Sequence, residues 1–511
     1  MKPSVILALA VACLAAPLTP QGAYKDALDI INGQASKFND AGLKKRHGEE
    51  PDSFNIVFKD GVSIDQIFEH LKLLDGLINK DSLNGIKKAF DLPSQKDGSG
   101  LMGYSGHFDK KIVDALGKFS DLVTVEEDRV QKLPTFESFK STSNVFEGGS
   151  KTMSDDWFSW WKNSNTWNDW WYARKPDTQR GAQPIRKTRP VEEAPTPAPA
   201  PQPEVPAVPS SPDTFQEVPT KNWGLFRVSH KQNSRDQTQY AMNKKTSNPT
   251  VAYIVDSGIR TSHRMFEGRA SWGANFADNQ NIDFEGHGTH VAGTVGGAGY
   301  GVSPSTKLIA VKVFSGKFGS TSQIMQGVSW AIDDFVKNKA KYPRAVINFS
   351  GGGDTSEAED ALFRKAVSLG MVVAVAAGNE NSDACYVSPA RAGATTPGFI
   401  TVAASSADDS LAFWNPQTNK ASNWGRCIDV IAPGTEILSA DYQSDTGILS
   451  NSGTSMATPH VAGLAVQMMA TSSELLTPAQ VEERIINNNQ GKIHGRLNGT
   501  PNKLAYNGSG L

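Results

Sequence analysis

The chain has 511 residues, enough for more than one folding unit and a large buried core. Hydrophobic residues make up 38% and charged residues 20%, the balance of a soluble protein, which excludes an integral membrane protein and a wholly disordered chain. A formal net charge of -2 supplies no excess of cations, so no nucleic acid is expected as a partner.

The N-terminus MKPSVILALAVACLAAPLTPQGA joins one Lys, an apolar run from Val5 to Ala16 and small residues behind it. Residues 1–20 therefore read as a secretory signal, too short to span a bilayer, and with no other long apolar run the chain is expected outside the cell without a membrane anchor. Loss of Cys13 with the signal leaves Cys385 and Cys427. An oxidising compartment favours one disulfide between them; two buried thiols are the alternative.

Residues 52–133 predict a small α+β unit. SFNIVFKDG reads as a strand, SIDQIFEHLKLLDGLI as an amphipathic helix, GYSGHF as a strand, KKIVDALGKF as a helix and LVTVEEDRV as a strand. This order suits a split βαβ, ferredoxin-like module. Residues 134–215 change character: DDWFSWWKNSNTWNDWWYARKP gathers six of the 11 Trp, and EEAPTPAPAPQPEVPAVPSSP is an extended Pro-rich spacer. This stretch predicts a linker. Its Trp can form a sticky surface for carbohydrate or a protein partner, or simply be discarded.

Residues 216–511 alternate apolar strands (TVAYIVD, KLIAVKVF, AVINFS, MVVAVAAG, FITVAAS, CIDVIAPG) with helical segments. Continuous apolar strands between helices predict an α/β fold, a parallel sheet covered on both faces. Such sheets carry their sites beyond the carboxyl ends of the strands. Asp256 ends VAYIVD there, His287 opens the small-residue helix HGTHVAGTVGG, and Asn379 follows AVAAG. Ser455 stands at the start of the helix in GTSMATPHVAGLAVQMMA, whose Pro459 is expected in the first turn. Alone, each is ordinary: Asp-Ser-Gly is a common turn, and His290 reads as a packed structural histidine. Together, a serine, a histidine to take its proton and a carboxylate to orient that histidine make an activated nucleophile.

These segments resemble the subtilisin-like serine proteases, in their proteinase-K-like branch, over nearly everything after Asn222. The motifs that carry the resemblance are Asp256 in VAYIVDSGI, His287 in GHGTHVAGTVGG, Asn379 in AAGN and Ser455 in GTSMATPHVAGLA. The resemblance implies Asp256 as orienting carboxylate, His287 as general base and acid, Ser455 as nucleophile, and Asn379 with the Ser455 N–H as oxyanion hole. It also implies a substrate strand held on one side by Gly319, Ser320 and Thr321 and on the other by Ser350, Gly351 and Gly352, with Ala377 and Gly378 nearby. Gly351 stands where the family carries a leucine that walls the S1 and S4 pockets. NIVFKDG, GYSGHFD and VEEDRV are similar to the family's inhibitory propeptide, which assists folding and occupies the cleft until cleaved.

No cofactor is required for such catalysis. By resemblance, a structural Ca²⁺ would take the carbonyls of Pro397 and Phe399 and the carboxylate of Asp429, which reads equally as a plain strand-end residue. The NSDACYVSPAR and NWGRCIDVIAPG segments resemble a disulfide-bonded pair. The implied activity is that of a secreted endopeptidase, expected as a monomer acting on proteins and peptides and made as a zymogen. Two cuts are expected, one by Ser455 near Leu133–Lys140 and one between Arg174 and Lys221. The alternative is a secreted adhesive protein using the Trp-rich segment. Of the glycosylation sequons at Asn348, Asn498 and Asn507, the last two are expected to be usable.

Overall fold

The computed structural model describes residues 20–40, 53–59, 61–78, 85–92, 100–133, 137–142 and 215–511, the last apart from 235, 244–247, 416 and 488–490. The signal up to residue 19, the Trp-rich window and the Pro-rich spacer lie outside the described residues.

The N-terminal unit starts earlier than residue 52. Helix α1 (Pro20–Asp40) puts Tyr24, Ala27 and Ile31 into the same core as Ile67, Leu71 and Leu74 of α2 (Ile64–Leu77). The Tyr24 hydroxyl donates to Asp91 at 2.8 Å. Strands β1 (Ser53–Phe58), β2 (Gly85–Asp91), β3 (Leu101–His107) and β4 (Val123–Glu127) form one sheet in the order β2-β3-β1-β4, with α3 (Lys110–Leu116) between the last two in sequence. The two halves are strand–helix–strand, so the ferredoxin-like order stands, but with a strand, β2, that the sequence reading lacked. A bulge between Ile86 and Lys88 breaks the alternation that would have marked it.

The boundary at residue 134 also moves. Strand β5 (Val130–Lys132) leaves the N-terminal unit, and β6 (Glu137–Thr142), assigned above to the linker, is a sheet strand of the C-terminal unit. That unit opens with the β7 (Phe215–Pro219) and β8 (Gln239–Asn243) hairpin around α4 (Trp223–Arg227). Phe215–Pro219, inside the expected second cleavage region, are paired with β8; the part of that region before Phe215 lies outside the described residues.

The main sheet has β9 (Thr250–Asp256), β10 (Ala270–Asn275), β11 (Lys307–Lys312), and, after β12 (Phe318–Ser320) at the rim, β13 (Arg344–Phe349), β14 (Val372–Ala376) and β15 (Phe399–Ser405). Beyond the β16 (Phe413–Asn415) and β17 (Lys420–Ala421) hairpin it is completed by β18 (Val430–Pro433), giving the order β10-β11-β9-β13-β14-β15-β18 with every pair parallel. Helix α5 (His287–Gly296) and the later α8 (Thr454–Thr471) bury one face; α6 (Thr321–Asn338) and α7 (Glu357–Ser368) bury the other. Both faces are thus apolar, as continuous Val, Ile and Ala strands require. The hairpin β19 (Ile437–Ala440) and β20 (Ile448–Ser452) leads into α8, and α9 (Pro478–Ile486) follows it. Helix α8 is buried all round, so its sequence shows no polar face.

Asn507 is buried, and its side-chain amide donates to the Ala241 carbonyl at 2.7 Å, so it is not a free glycosylation site; Asn348 is buried as expected.

Candidate active site

Strands β9 and β13 are neighbours in register, with Ile254 beside Asn348, so Asp256 and Ser350 emerge level at their carboxyl ends. The Asp256 carboxylate accepts from the Ser257 N–H at 2.7 Å and faces His287 Nδ1 at 2.8 and 2.9 Å. Both side chains are fully buried. Burial disfavours the imidazolium, but Asp256 beside it, with Asp283 and Glu285 farther off, prevails and holds His287 above its ordinary value. A second carboxylate, not singled out in the sequence, builds this corner. Asp283 accepts from the Thr289 N–H and Oγ1, the Gly286 N–H and the Ser257 Oγ, at 2.6 to 2.9 Å. It ties the start of α5, and so His287, to the end of β9. Its signal was there in DFEGHGTH, an Asp just ahead of a helix start.

Ser455 is the second residue of α8. It is locked to Ser350 by two reciprocal bonds: the Ser455 Oγ donates to the Ser350 carbonyl, and the Ser350 Oγ donates to the Ser455 carbonyl, each at 3.0 Å. The second bond corrects the expectation for Pro459. This proline is the sixth helical residue, not a first-turn one, and it denies the Ser455 carbonyl its i+4 N–H. Ser350 supplies the missing donor.

Asn379 follows β14. Its Oδ1 accepts from the Thr454 N–H at 2.9 Å and the Thr454 Oγ1 at 2.8 Å, which fixes the amide orientation. Its Nδ2 is therefore a buried donor, with no partner among the described residues. Gly378 has φ +102, and a Cβ there would lie 2.3 Å from Asn423 Nδ2. Its N–H donates to Thr454 Oγ1, while Asn423 bonds the Ala377 and Gly378 carbonyls, so Ala377 and Gly378 brace Asn379. An unpaired N–H aimed beside a serine at a helix N-terminus can hold a developing oxyanion.

The Subtilase family, Peptidase S8, matches residues 246–508. The chain belongs to the subtilases. It is 41% identical to the alkaline extracellular protease of Yarrowia lipolytica over 490 residues, 96% of this chain and 91% of that one. With alkaline protease 1 of Emericella nidulans it shares 31% over 498 residues, 95% of this chain and 99% of the other. Among solved structures, a cold adapted subtilisin-like serine proteinase is 36% identical, covering 56% of this chain and 97% of its own, with a TM-score of 0.49. This subtilase is a serine protease of the α/β subtilisin-like class.

Around its site, Gly319 pairs with Gln131 and Ser320 with Val130, so the rim strand β12 already holds an antiparallel partner, β5. Ser320 also caps α6 through a capping box with Gln323, and Thr321 begins that helix. A Cβ at Gly351 would meet the Phe349 ring at 3.0 Å and the Phe314 ring at 3.3 Å, so these stacked rings stand where a leucine would have to fit. Gly352 approaches the Ser388 carbonyl.

In the subtilase, Cys385 and Cys427 form a disulfide. His290 is structural: Nε2 faces the carbonyls of Ile437 and Leu449, and burial pushes its pKa down to about 3. Asp429 is half-buried, accepts from the Thr401 N–H, and desolvation of its carboxyl, reinforced by Glu482, pushes its pKa up to about 7. Its Oδ2 and the Phe399 carbonyl lie 2.6 and 3.2 Å from where a Cβ on Gly393 would stand. The glycine lets Asp429, the Thr401 Oγ1 and the Phe399 carbonyl close in, with no room for a side chain. Among the described residues no group of three or more His, Cys, Asp or Glu could hold a metal, and no helix is long and apolar enough to cross a membrane.

Proposed function

We propose that the chain is a secreted zymogen of an endopeptidase in which Asp256, His287 and Ser455 form the catalytic triad. Asp256 holds the Nδ1–H of His287, leaving Nε2 to take the Ser455 proton once the hydroxyl turns from the Ser350 carbonyl and Oγ attacks the substrate carbonyl. The oxyanion then accepts from Asn379 Nδ2 and from the Ser455 N–H, which lies in the first turn of α8 without a helical acceptor. His287 returns the proton to the leaving amine, and water releases the acyl group by the same steps. The observation that carries this reading is the buried, oriented and partnerless Nδ2 of Asn379 beside Ser455. A buried donor without an acceptor costs about 1–3 kcal/mol, a cost that binding of an oxyanion removes.

The unit ending at Leu133 acts as an intramolecular inhibitor. Strand β5 pairs with β12 on one rim, and β6 pairs with β20, which runs directly into Gly453 and Ser455, on the other. The first cut, by Ser455, falls between Leu133 and Glu137, inside the region expected from the sequence. The second falls in the linker before Phe215. Secretion rests on the leader and on the extracellular relative; a Ca²⁺ beside Asp429 and Phe399, with Pro397 as third ligand, stabilises the fold, and the mature enzyme is a monomer. N-terminal sequencing of wild type and Ser455→Ala tests the scheme. Only wild type should be cut after Leu133; a Ser455→Ala chain cut at the same bond would remove self-processing.

A further inference from the structure

Three of the contacts between the N-terminal unit and the C-terminal one bear on the rim of the site. Asp128 accepts from the Ser322 N–H and Oγ at the start of α6, and Glu126 accepts from Ser356 Oγ and the Glu357 N–H at the start of α7. Both are carboxylates at helix N-termini, where the macrodipole favours them. The third contact is of another kind. Along β5 the side chains alternate, with Val130 73% exposed and Gln131 only 4% exposed. Opposite Gly319, Gln131 enters a slot whose wall is Gly353: a Cβ on that glycine would come within 3.1 to 3.3 Å of the Gln131 side chain.

At the end of the slot stands Glu359, in the first turn of α7 and 0% exposed. Gln131 Nε2 donates to Glu359 Oε2 at 2.6 Å and reaches Thr321 Oγ1 at 3.4 Å. Glu359 Oε1 has no partner among the described residues. Among the described residues Glu359 has no cation paired with it; its neighbours Asp360 and Glu126 are acidic, and Arg391 is engaged by Asp360 and Glu357. A carboxylate buried at the bottom of a slot that otherwise needs only to be apolar is costly, unless the slot receives a donor. Once the N-terminal unit leaves, a substrate strand that takes the place of β5 on β12 lays its own side chain into the slot.

We propose that Glu359 makes this slot a specificity subsite that selects a long side chain ending in N–H donors, Gln, Lys or Arg, at the substrate position equivalent to Gln131. The proposal rests on the protease reading above and adds to it which substrates are preferred. Gly353 gives the slot its width, Thr321 offers a second oxygen, and Glu359 supplies the acceptor. Burial pushes the Glu359 pKa up to about 8, so at alkaline pH acidic side chains there meet a like charge and are rejected; aliphatic ones leave Glu359 unpaired.

The test uses active enzyme recovered after expression of the full chain. A peptide library of natural sequences is digested, and the cut sites are aligned. Depending on which bond from Leu133 to Glu137 marks the register, the position of Gln131 is the third to the sixth residue before the cut. One position in that window should be enriched in Gln, Lys and Arg and depleted in Asp and Glu. For two peptides differing only there, Lys against Leu, the ratio of kcat/KM should fall about tenfold in Glu359→Leu, the loss of one hydrogen bond to a charged group. Glu359→Gln should lose the Lys preference and keep Gln. Wild type that cuts freely but shows no such enrichment, or an apolar preference throughout the window, overturns the subsite and leaves the protease standing. Failure to cut any peptide overturns both. The wild-type profile decides even where a variant does not fold.

Discussion

Asn379→Gly deletes a buried N–H whose direction Thr454 fixes, and the bond proposed for it belongs to the oxyanion rather than to the bound substrate. Turnover should therefore fall about 10²–10³-fold with KM little changed, the size known for one such donor in subtilisin. Unaltered turnover would remove Asn379 from the mechanism. His287 makes a pH prediction. The base works only when neutral, and Asp256 raises its pKa, so activity is lost as pH falls through a midpoint above about 6.5. A pH profile of kcat/KM should place the acid limb there, and Asp256→Asn should lower turnover by about 10⁴. An acid limb well below 6 in wild type would contradict the coupling.

At the scale of elements, legibility in the sequence followed how far an element's reasons are local. The motif residues Asp256, His287, Asn379 and Ser455 each lie at a strand end or helix start, where short runs of residues set the geometry. Strand β6, with the sequence ESFKST, has little apolar alternation and exists as a strand because β20 offers an edge. Helix α1 has its core partners in α2 and β2, far along the chain, so its apolar residues do not announce a domain on their own. Pro459 was misplaced because its remedy, Ser350, lies 105 residues from Ser455. The slot end at Glu359 was invisible for the same reason, since Gln131 is 228 residues away. The ends of β15 and β18 carry the calcium proposal. A carboxyl raised to about 7 is mostly protonated at pH 6 and ionised at pH 8, and Ca²⁺ needs the ionised form. Added Ca²⁺ should raise Tm more at pH 8 than at pH 6, and Asp429→Asn should abolish the difference. Equal Tm with Ca²⁺ and with chelator at both values would reject the site.

Across the whole molecule, a parallel sheet buried on both faces fixes β9, β13 and β14 side by side, and their carboxyl ends deliver Asp256, Ser350 and Asn379 to one rim. Helices α5 and α8 pack on one face of that sheet and bring His287 and Ser455 to it by their N-termini. The N-terminal unit covers the same rim through β5 and the caps at Asp128 and Glu126. On the reading proposed above, Ser455 becomes a nucleophile when that cover is removed. A fluorophosphonate probe, which reacts covalently with an activated serine, tests it in one step: processed enzyme is labelled, digested and mapped by mass spectrometry. The label should be found on Ser455, with His287→Ala, expressed and processed in trans, losing it. A folded, processed enzyme that stays unlabelled, or carries the label on another serine, would contradict the claim.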